Sequence, residues 1–149
     1  MTKYFVSIIF LLVHIMATAQ QVINASKKGL GVDGYDLISY FVGKPVLGSE
    51  EINLVLNQVE YRFANEKNRL LFKKSPDKYL PQYGGWCAYA MGLNGDLVEV
   101  DPMTYTITAG KLYLFYNKRG NNTLLPWKED ESMFLIKADN HWSSKSESD

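Results

Sequence analysis

Apolar and polar residues alternate most regularly between residues 52 and 63 of the chain. Alternation at every second position is typical of a β-strand with one buried face. Asn57 and Gln58 interrupt the alternation at its centre, so the pattern predicts two strands joined by a short hairpin turn. A second hairpin is predicted over residues 104–116, where β-branched and aromatic residues surround a central Ala-Gly turn.

Two short helices are predicted after the first hairpin. Asn65 is a good N-cap for a helix that ends at Ser75, and Pro76 favours the first turn of a second helix that runs through Tyr79. The apolar residues of the longer helix are expected to face the core, and they are Leu70, Leu71 and Phe72.

A strand over residues 97–100 and a helix over residues 126–142 complete the predicted elements. The strand follows a turn at residues 94–96, and the helix has apolar residues near helical spacing. The sequence therefore predicts a single α+β domain in which a small antiparallel sheet of two hairpins is packed against helices.

The N-terminal residues have the order of a secretory signal peptide. Lys3 precedes an apolar run over residues 4–16, and small residues at positions 17 and 19 precede a polar Gln20. The run is shorter than the roughly 20 apolar residues that a transmembrane helix needs, so it favours a cleaved signal peptide over a membrane anchor. We therefore expect a secreted or periplasmic protein that has no membrane contact after cleavage.

This interpretation divides the chain into four parts. They are a signal peptide over residues 1–19, an extended lead-in over residues 20–33, one domain over residues 34–142 and a disordered polar tail over residues 143–149.

Composition removes several functional classes. The 149 residues include 16 Lys and Arg against 16 Asp and Glu, so no positive field is available to hold nucleic acid. The single cysteine, Cys87, excludes an intrachain disulfide and a thiolate-rich zinc site. Cleavage of 19 residues from the 149 would leave 130, with His141 as their only histidine.

Several segments of the chain resemble the motifs of exported YHS-domain proteins, in the same order and with similar spacing. They include Gly34-Tyr35-Asp36, Val59-Glu60-Tyr61-Arg62-Phe63, Pro81-Gln82-Tyr83-Gly84-Gly85-Trp86-Cys87-Ala88-Tyr89-Ala90, Gly110-Lys111-Leu112-Tyr113-Leu114 and Ala138-Asp139-Asn140-His141-Trp142.

The resemblance covers residues 34–142 and implies a compact α+β fold and export to the periplasm. In the wider YHS group, cysteines are associated with metal handling. In the exported branch, some members carry selenocysteine at the position that Cys87 matches. Selenium at one site favours redox chemistry, so the resemblance strengthens the hypothesis that Cys87 is a functional residue.

Cys87 is therefore the candidate catalytic residue, although a lone cysteine can also be a small buried hydrophobe. Gly84 and Gly85 leave room for backbone N–H groups near a thiolate, and Trp86 and Tyr89 can form the walls of a cleft. A reactive Cys87 would pass through a sulfenic acid or a mixed disulfide, which an external thiol would resolve because the chain has no second cysteine.

Aromatic residues near this segment are candidates for binding a flat small molecule, although tyrosines more often belong to a core. Asp36 can instead cap a local backbone N–H. The candidate ligand-binding residues are Tyr83, Gly84, Gly85, Trp86, Tyr89, Tyr35 and Asp36.

Two alternative functions accompany the thiol-based redox or ligand-binding hypothesis. In the first, copper or another soft metal binds to Cys87 with Met91 or His141, since soft ligands suit copper(I). In the second, the domain is a non-catalytic interaction scaffold. At this stage the choice among a small molecule, a metal ion and an external thiol as partner stays open, and so do enzymatic activity and oligomeric state.

Overall fold

The computed structural model describes residues 22–146 of the chain, so the predicted signal peptide and its cleavage site lie outside the described residues. The strands are β1 (Ser49–Leu56), β2 (Val59–Phe63), β3 (Asp101–Thr108), β4 (Lys111–Phe115), β5 (Asn117–Lys118) and β6 (Asn121–Asn122). The helices are α1 (Leu37–Tyr40), α2 (Glu66–Lys74), α3 (Pro76–Tyr79), α4 (Ala88–Asn94), α5 (Leu124–Glu129) and α6 (Glu131–Ser146).

The predicted α+β class is confirmed, and so are both predicted hairpins, but the prediction that the two hairpins share one sheet is wrong, because each is a separate two-stranded sheet. Strands β1 and β2 pair antiparallel, as do β3 and β4, and a third small hairpin joins β5 to β6. Both central residues of the first turn, Asn57 and Gln58, have positive φ angles of 50° and 67°. Ala109 and Gly110 have φ angles of 49° and 73° in the second turn. Positive φ at both positions gives the tight two-residue turn whose twist matches the strands.

Helices α2 and α3 begin as predicted. The Asn65 side chain accepts a hydrogen bond from the Asn68 N–H, and Pro76 opens α3. The prediction that Leu70 and Leu71 face the core is wrong, since they are 52% and 37% exposed. Only Phe72 of this helix is fully buried, because a nine-residue helix that lies on one hairpin presents a single narrow stripe to it.

Two other predicted elements differ from the structure. Residues 97–100 form no strand, and β3 begins only at Asp101. The C-terminal helix is broken at Asp130, whose φ of −150° is not helical. The Asp130 carboxylate accepts a hydrogen bond from the Met133 N–H in the first turn of α6. Helix α6 continues to Ser146, so residues 143–146 are helical and not part of a disordered tail.

Two hydrophobic clusters, called here the first and the second core, lie side by side. The first core joins the β1–β2 hairpin to α1 and α2, and its largest buried residues are Leu37, Tyr40, Phe63, Phe72, Leu112 and Leu114. The second core surrounds Trp127 and includes Tyr83, Met91, Tyr113, Phe115, Phe134 and Ala138. Tyr89 contacts both cores, so the segment before it lies where the two cores meet.

The residues that precede the predicted domain pack onto it. Ile23 and Ala25 contact the first core, and Val32 is buried within it. Leu30 forms a parallel bridge with Glu60 of β2. Residues 23–32 therefore belong to the folded unit. Among residues 22–146, no helix combines the length and apolar character that a membrane crossing requires.

Candidate functional site

The Tyr-Gly-Gly segment forms a tight turn with an uncommon backbone. Tyr83, Gly84 and Gly85 have successive φ angles of 54°, 61° and 83°. The two glycines adopt these angles without a steric penalty, whereas a residue that has a Cβ, such as Tyr83, adopts them less readily. A Cβ at Gly84 would also lie 2.6 Å from the carbonyl oxygen of Val22 and 3.0 Å from the Trp142 ring. The missing side chain thus lets two distant parts of the chain approach this turn.

The N-terminal segment crosses the turn and is hydrogen-bonded to it. The Asn24 N–H donates to the Gly84 carbonyl at 2.9 Å, and the Asn24 side chain donates to the Gly85 carbonyl at 3.0 Å. The Trp86 indole N–H donates to the Val22 carbonyl at 3.1 Å. The two glycines and Trp86 therefore secure the N-terminal segment, a role that the sequence did not reveal.

Cys87 is a free thiol with no exposed surface, and it precedes the first residue of α4. The Tyr116 N–H donates to Sγ at 3.4 Å, and Thr123 Oγ1 also lies 3.4 Å from Sγ. Because the Thr123 hydroxyl donates its own proton to the Tyr116 carbonyl at 3.0 Å, it can accept the thiol proton. A neutral thiol is therefore fully satisfied here. The contact with Thr123, which is 36 residues away along the chain, could not be predicted from the sequence.

Tyr83 is buried in the second core and linked to α6. Its hydroxyl donates to Asp139 Oδ1 at 2.9 Å, and its ring lies 5.8 Å from Tyr113 and 6.2 Å from Trp142 between centroids. Burial, followed by the contact with Asp139, raises the pKa of the Tyr83 phenol. The phenol thus stays protonated and keeps the turn attached to α6.

Asp36 has a structural environment. Its fully buried carboxylate accepts hydrogen bonds from the Ile38 N–H at 2.9 Å, the Ala64 N–H at 2.8 Å and the Asn68 side chain at 2.7 Å. These bonds cap α1 and tie it to the end of β2 and to α2. The expected local cap is thus confirmed, and none of the three bonds reaches the Tyr-Gly-Gly segment. The neighbouring Tyr35 packs against the first core.

Tyr89 does not form a cleft wall around Cys87 together with Trp86. The Tyr89 ring packs on Phe134 of α6 with a centroid distance of 4.9 Å, and Trp86 is turned toward Val22. The structure therefore brings Tyr83, Gly84 and Gly85 together but gives Trp86 and Tyr89 separate packing roles.

The three candidate metal ligands have other contacts in the structure. Cys87 belongs to the first core and Met91, which is also fully buried, belongs to the second. His141 Nδ1 lies 2.7 Å from the backbone carbonyl oxygen of Met91, so this contact uses the main chain and not the thioether. Within the part of the chain that the structure describes, no group of three or more His, Cys, Asp or Glu side chains could hold a metal ion.

Two cavities flank the Tyr-Gly-Gly segment. The first, called here the aromatic cavity, has a volume of about 190 Å³, and Tyr83 and Gly84 contribute to its lining. Its other walls include Tyr61, Trp142, Leu80, Pro81 and Asp77. The second, a polar groove of about 270 Å³, is lined by Gly85 together with charged residues that include Lys27, Asp33, Glu99 and Lys118. Cys87 lines neither of these two cavities.

Several residues of the aromatic cavity were not predicted from the sequence. Tyr61 and Trp142 lie within matched motifs, but their spacing gives no indication that they meet. Asp77 lies in the first turn of α3, and no feature of the sequence pointed to it as a cavity residue. The available signal was the density of aromatic residues in the matched motifs.

Comparison of the chain with protein-family models, with curated proteins and with solved structures finds no match. The family and the function are therefore proposed below from the residues themselves.

Proposed function

We propose that this chain is an exported YHS-domain protein that binds a small organic molecule in the aromatic cavity. The observation that carries the proposal is the cavity itself, which Tyr61, Tyr83 and Trp142 line beside the glycine turn. Ligand sites are typically concave and lined by apolar and aromatic groups with a few polar ones. The aromatic cavity has this composition, since Leu80 and Pro81 accompany the three rings.

The size of the cavity limits the ligand. A volume of about 190 Å³ is below the roughly 300–1,000 Å³ that is usual for drug-sized ligands, so the ligand is a small molecule. The two phenols that line the cavity are protonated at neutral pH, as an ordinary tyrosine is, and burial extends this to higher pH because it raises the pKa of Tyr61 to about 12 and also raises that of Tyr83. They offer uncharged aromatic rings to the ligand, while the Tyr83 hydroxyl proton is donated to Asp139.

In this proposal Cys87 is a structural residue. Reactive cysteines are typically exposed thiolates, whereas Cys87 is fully buried and both of its hydrogen-bonding capacities are used. Redox chemistry at Cys87 would require the surrounding structure to open. Binding in the aromatic cavity requires no such opening.

Titration with phenol, a neutral planar probe, tests the proposal. Chemical shifts of Tyr61, Tyr83 and Trp142 should move together as phenol is added to the folded protein. Trp142→Ala removes one wall, and we expect it to weaken phenol binding by about tenfold, which corresponds to about 1.4 kcal/mol. Ile136→Ala is the matched control, because Ile136 lies on the same helix and is 65% exposed.

The absence of phenol shifts at these three residues, or equal loss of binding in both variants, would contradict the proposal. Export is tested separately by N-terminal sequencing of the protein recovered from the medium or the periplasm. We expect the mature chain to begin at Gln20.

A further inference from the structure

The formal charge in the lining of the aromatic cavity is negative. Of the described residues that line it, Asp77 alone has a formal charge. Asp77 forms no ion pair within the part of the chain that the structure describes. The neighbouring Lys78 Nζ lies over the Tyr79 ring at 5.3 Å from its centroid, and it forms no ion pair with Asp77 among the described residues. The cavity therefore has one available carboxylate.

The aromatic walls also favour positive charge. Aromatic faces are negative and attract cations, and the indole of tryptophan does so most strongly. The Tyr83 hydroxyl donates to the Asp139 carboxylate at 2.9 Å, and this interaction increases the electron density of the ring. Asp139 thus adds a second negative charge behind the cavity wall.

From these contacts we propose that the aromatic cavity binds a small organic monocation, such as a quaternary or protonated amine. This inference rests on the proposed function and names the chemical class of its ligand. A compact ammonium group suits a cavity of about 190 Å³, and its C–H surface packs against the rings while Asp77 balances the charge.

Asp77 also has a structural explanation, since an acidic residue in the first turn of a helix interacts favourably with the helix dipole. The two roles make different predictions. A helix-stabilising Asp77 affects folding but does not distinguish charged from neutral ligands. Ligand selectivity is therefore the quantity to measure.

Choline and 3,3-dimethylbutan-1-ol form a matched pair of probes, because they have nearly the same shape and only choline is charged. Both should shift the resonances of Tyr61 and Trp142 in the folded chain. We expect choline to bind about five- to thirtyfold more tightly than the alcohol, as cation–π interactions in partly desolvated sites indicate. Asp77→Asn should reduce this ratio, and Glu51→Gln, which changes an exposed carboxylate of β1, should leave it unchanged.

A salt titration gives the same information without a variant. Raising the salt concentration should weaken choline binding and leave alcohol binding unchanged, because salt screens charge interactions. Equal affinities for the two probes, or a ratio that responds to neither salt nor Asp77→Asn, would overturn the inference while leaving the proposed function in place. If neither these probes nor phenol shifts the cavity residues, the proposed function itself is wrong.

Discussion

The hydrogen bonds of the buried thiol predict an unusual order of stability for two variants. Cys87 Sγ has no exposed surface, accepts the Tyr116 N–H and lies 3.4 Å from Thr123 Oγ1. Cys87→Ala removes both contacts. Cys87→Ser keeps one donor and one acceptor at the same position. The comparison of the two variants therefore measures whether the sulfur acts as a polar group or as a hydrophobe.

The expected losses follow from these contacts. Cys87→Ala removes one buried heavy atom, worth about 0.8 kcal/mol by analogy with a methylene group. It also leaves the Tyr116 N–H without its partner, which costs roughly 1–3 kcal/mol. The total is about 2–4 kcal/mol. Cys87→Ser loses about 1–2 kcal/mol, because its shorter C–O bond requires a small adjustment of the surroundings but its hydroxyl keeps both partners.

Urea unfolding of the three proteins gives the free energies of unfolding that test this order. We expect the serine variant to be more stable than the alanine variant by about 1 kcal/mol. At a wholly apolar site the order would be reversed, since burial of an unpaired hydroxyl costs roughly 1–3 kcal/mol. A serine variant that is less stable than the alanine variant would therefore refute the reasoning. Phenol binding should be unchanged in both variants.

Four other predictions follow from the described contacts. Disulfide reagents should label Cys87 at least about a hundredfold more slowly in the native protein than in denaturant, since opening of the core costs at least about 2.7 kcal/mol; rapid native labelling would support the redox hypothesis. Anaerobic copper(I) titration should show no stoichiometric binding that Cys87→Ala removes, and such binding would support the metal hypothesis. Asp36→Asn should lower the free energy of unfolding by about 2–3 kcal/mol, because the amide N–H₂ group must face a backbone or side-chain donor. Asp33→Asn, at an exposed position, should change it by less than about 0.5 kcal/mol. Similar losses in the two variants would contradict the role of Asp36. The free energy of unfolding should fall as the pH rises from about 10 toward 12, because Tyr61 loses its proton near pH 10 in the unfolded state and only at about 12 in the folded state. Urea unfolding of Tyr61→Phe should show a smaller decline over this pH range. An unchanged decline would show that Tyr61 does not cause the pH dependence.

The fold features that the sequence predicted correctly are set by local chemistry. Both hairpins follow from alternation within a few residues and from turn residues that adopt positive φ. The starts of α2 and α3 follow from Asn65 and Pro76, whose effects act within one helical turn.

The incorrect features depend on the rest of the chain. Residues 97–100, three of which are apolar, resemble a strand, but the Val98 carbonyl accepts the Cys87 N–H at 2.9 Å and so pairs with the start of α4. Leu70 and Leu71 have the same apolar character as Phe72, and only the position of the hairpin decides which of them is buried. Such choices are tertiary and have no local signal.

The candidate site shows the same division. The Tyr-Gly-Gly segment could be identified from its residues, and Gly84 does require an absent side chain. The burial of Cys87 could not be predicted, because it depends on Tyr116 and Thr123 from a different part of the chain. The aromatic cavity could not be predicted either, since its walls come from segments that only the fold brings together.

The cavity is lined by residues from both ends of the described chain. Ile23 lies next to its start, and Trp142 lies in the last helix. Contact between such distant residues has an entropic cost, because a long loop must be closed. A ligand bound in the proposed site would contact both ends and would stabilise the folded state by mass action. Resistance of the N-terminal segment and of α6 to proteolysis would rise together with ligand concentration.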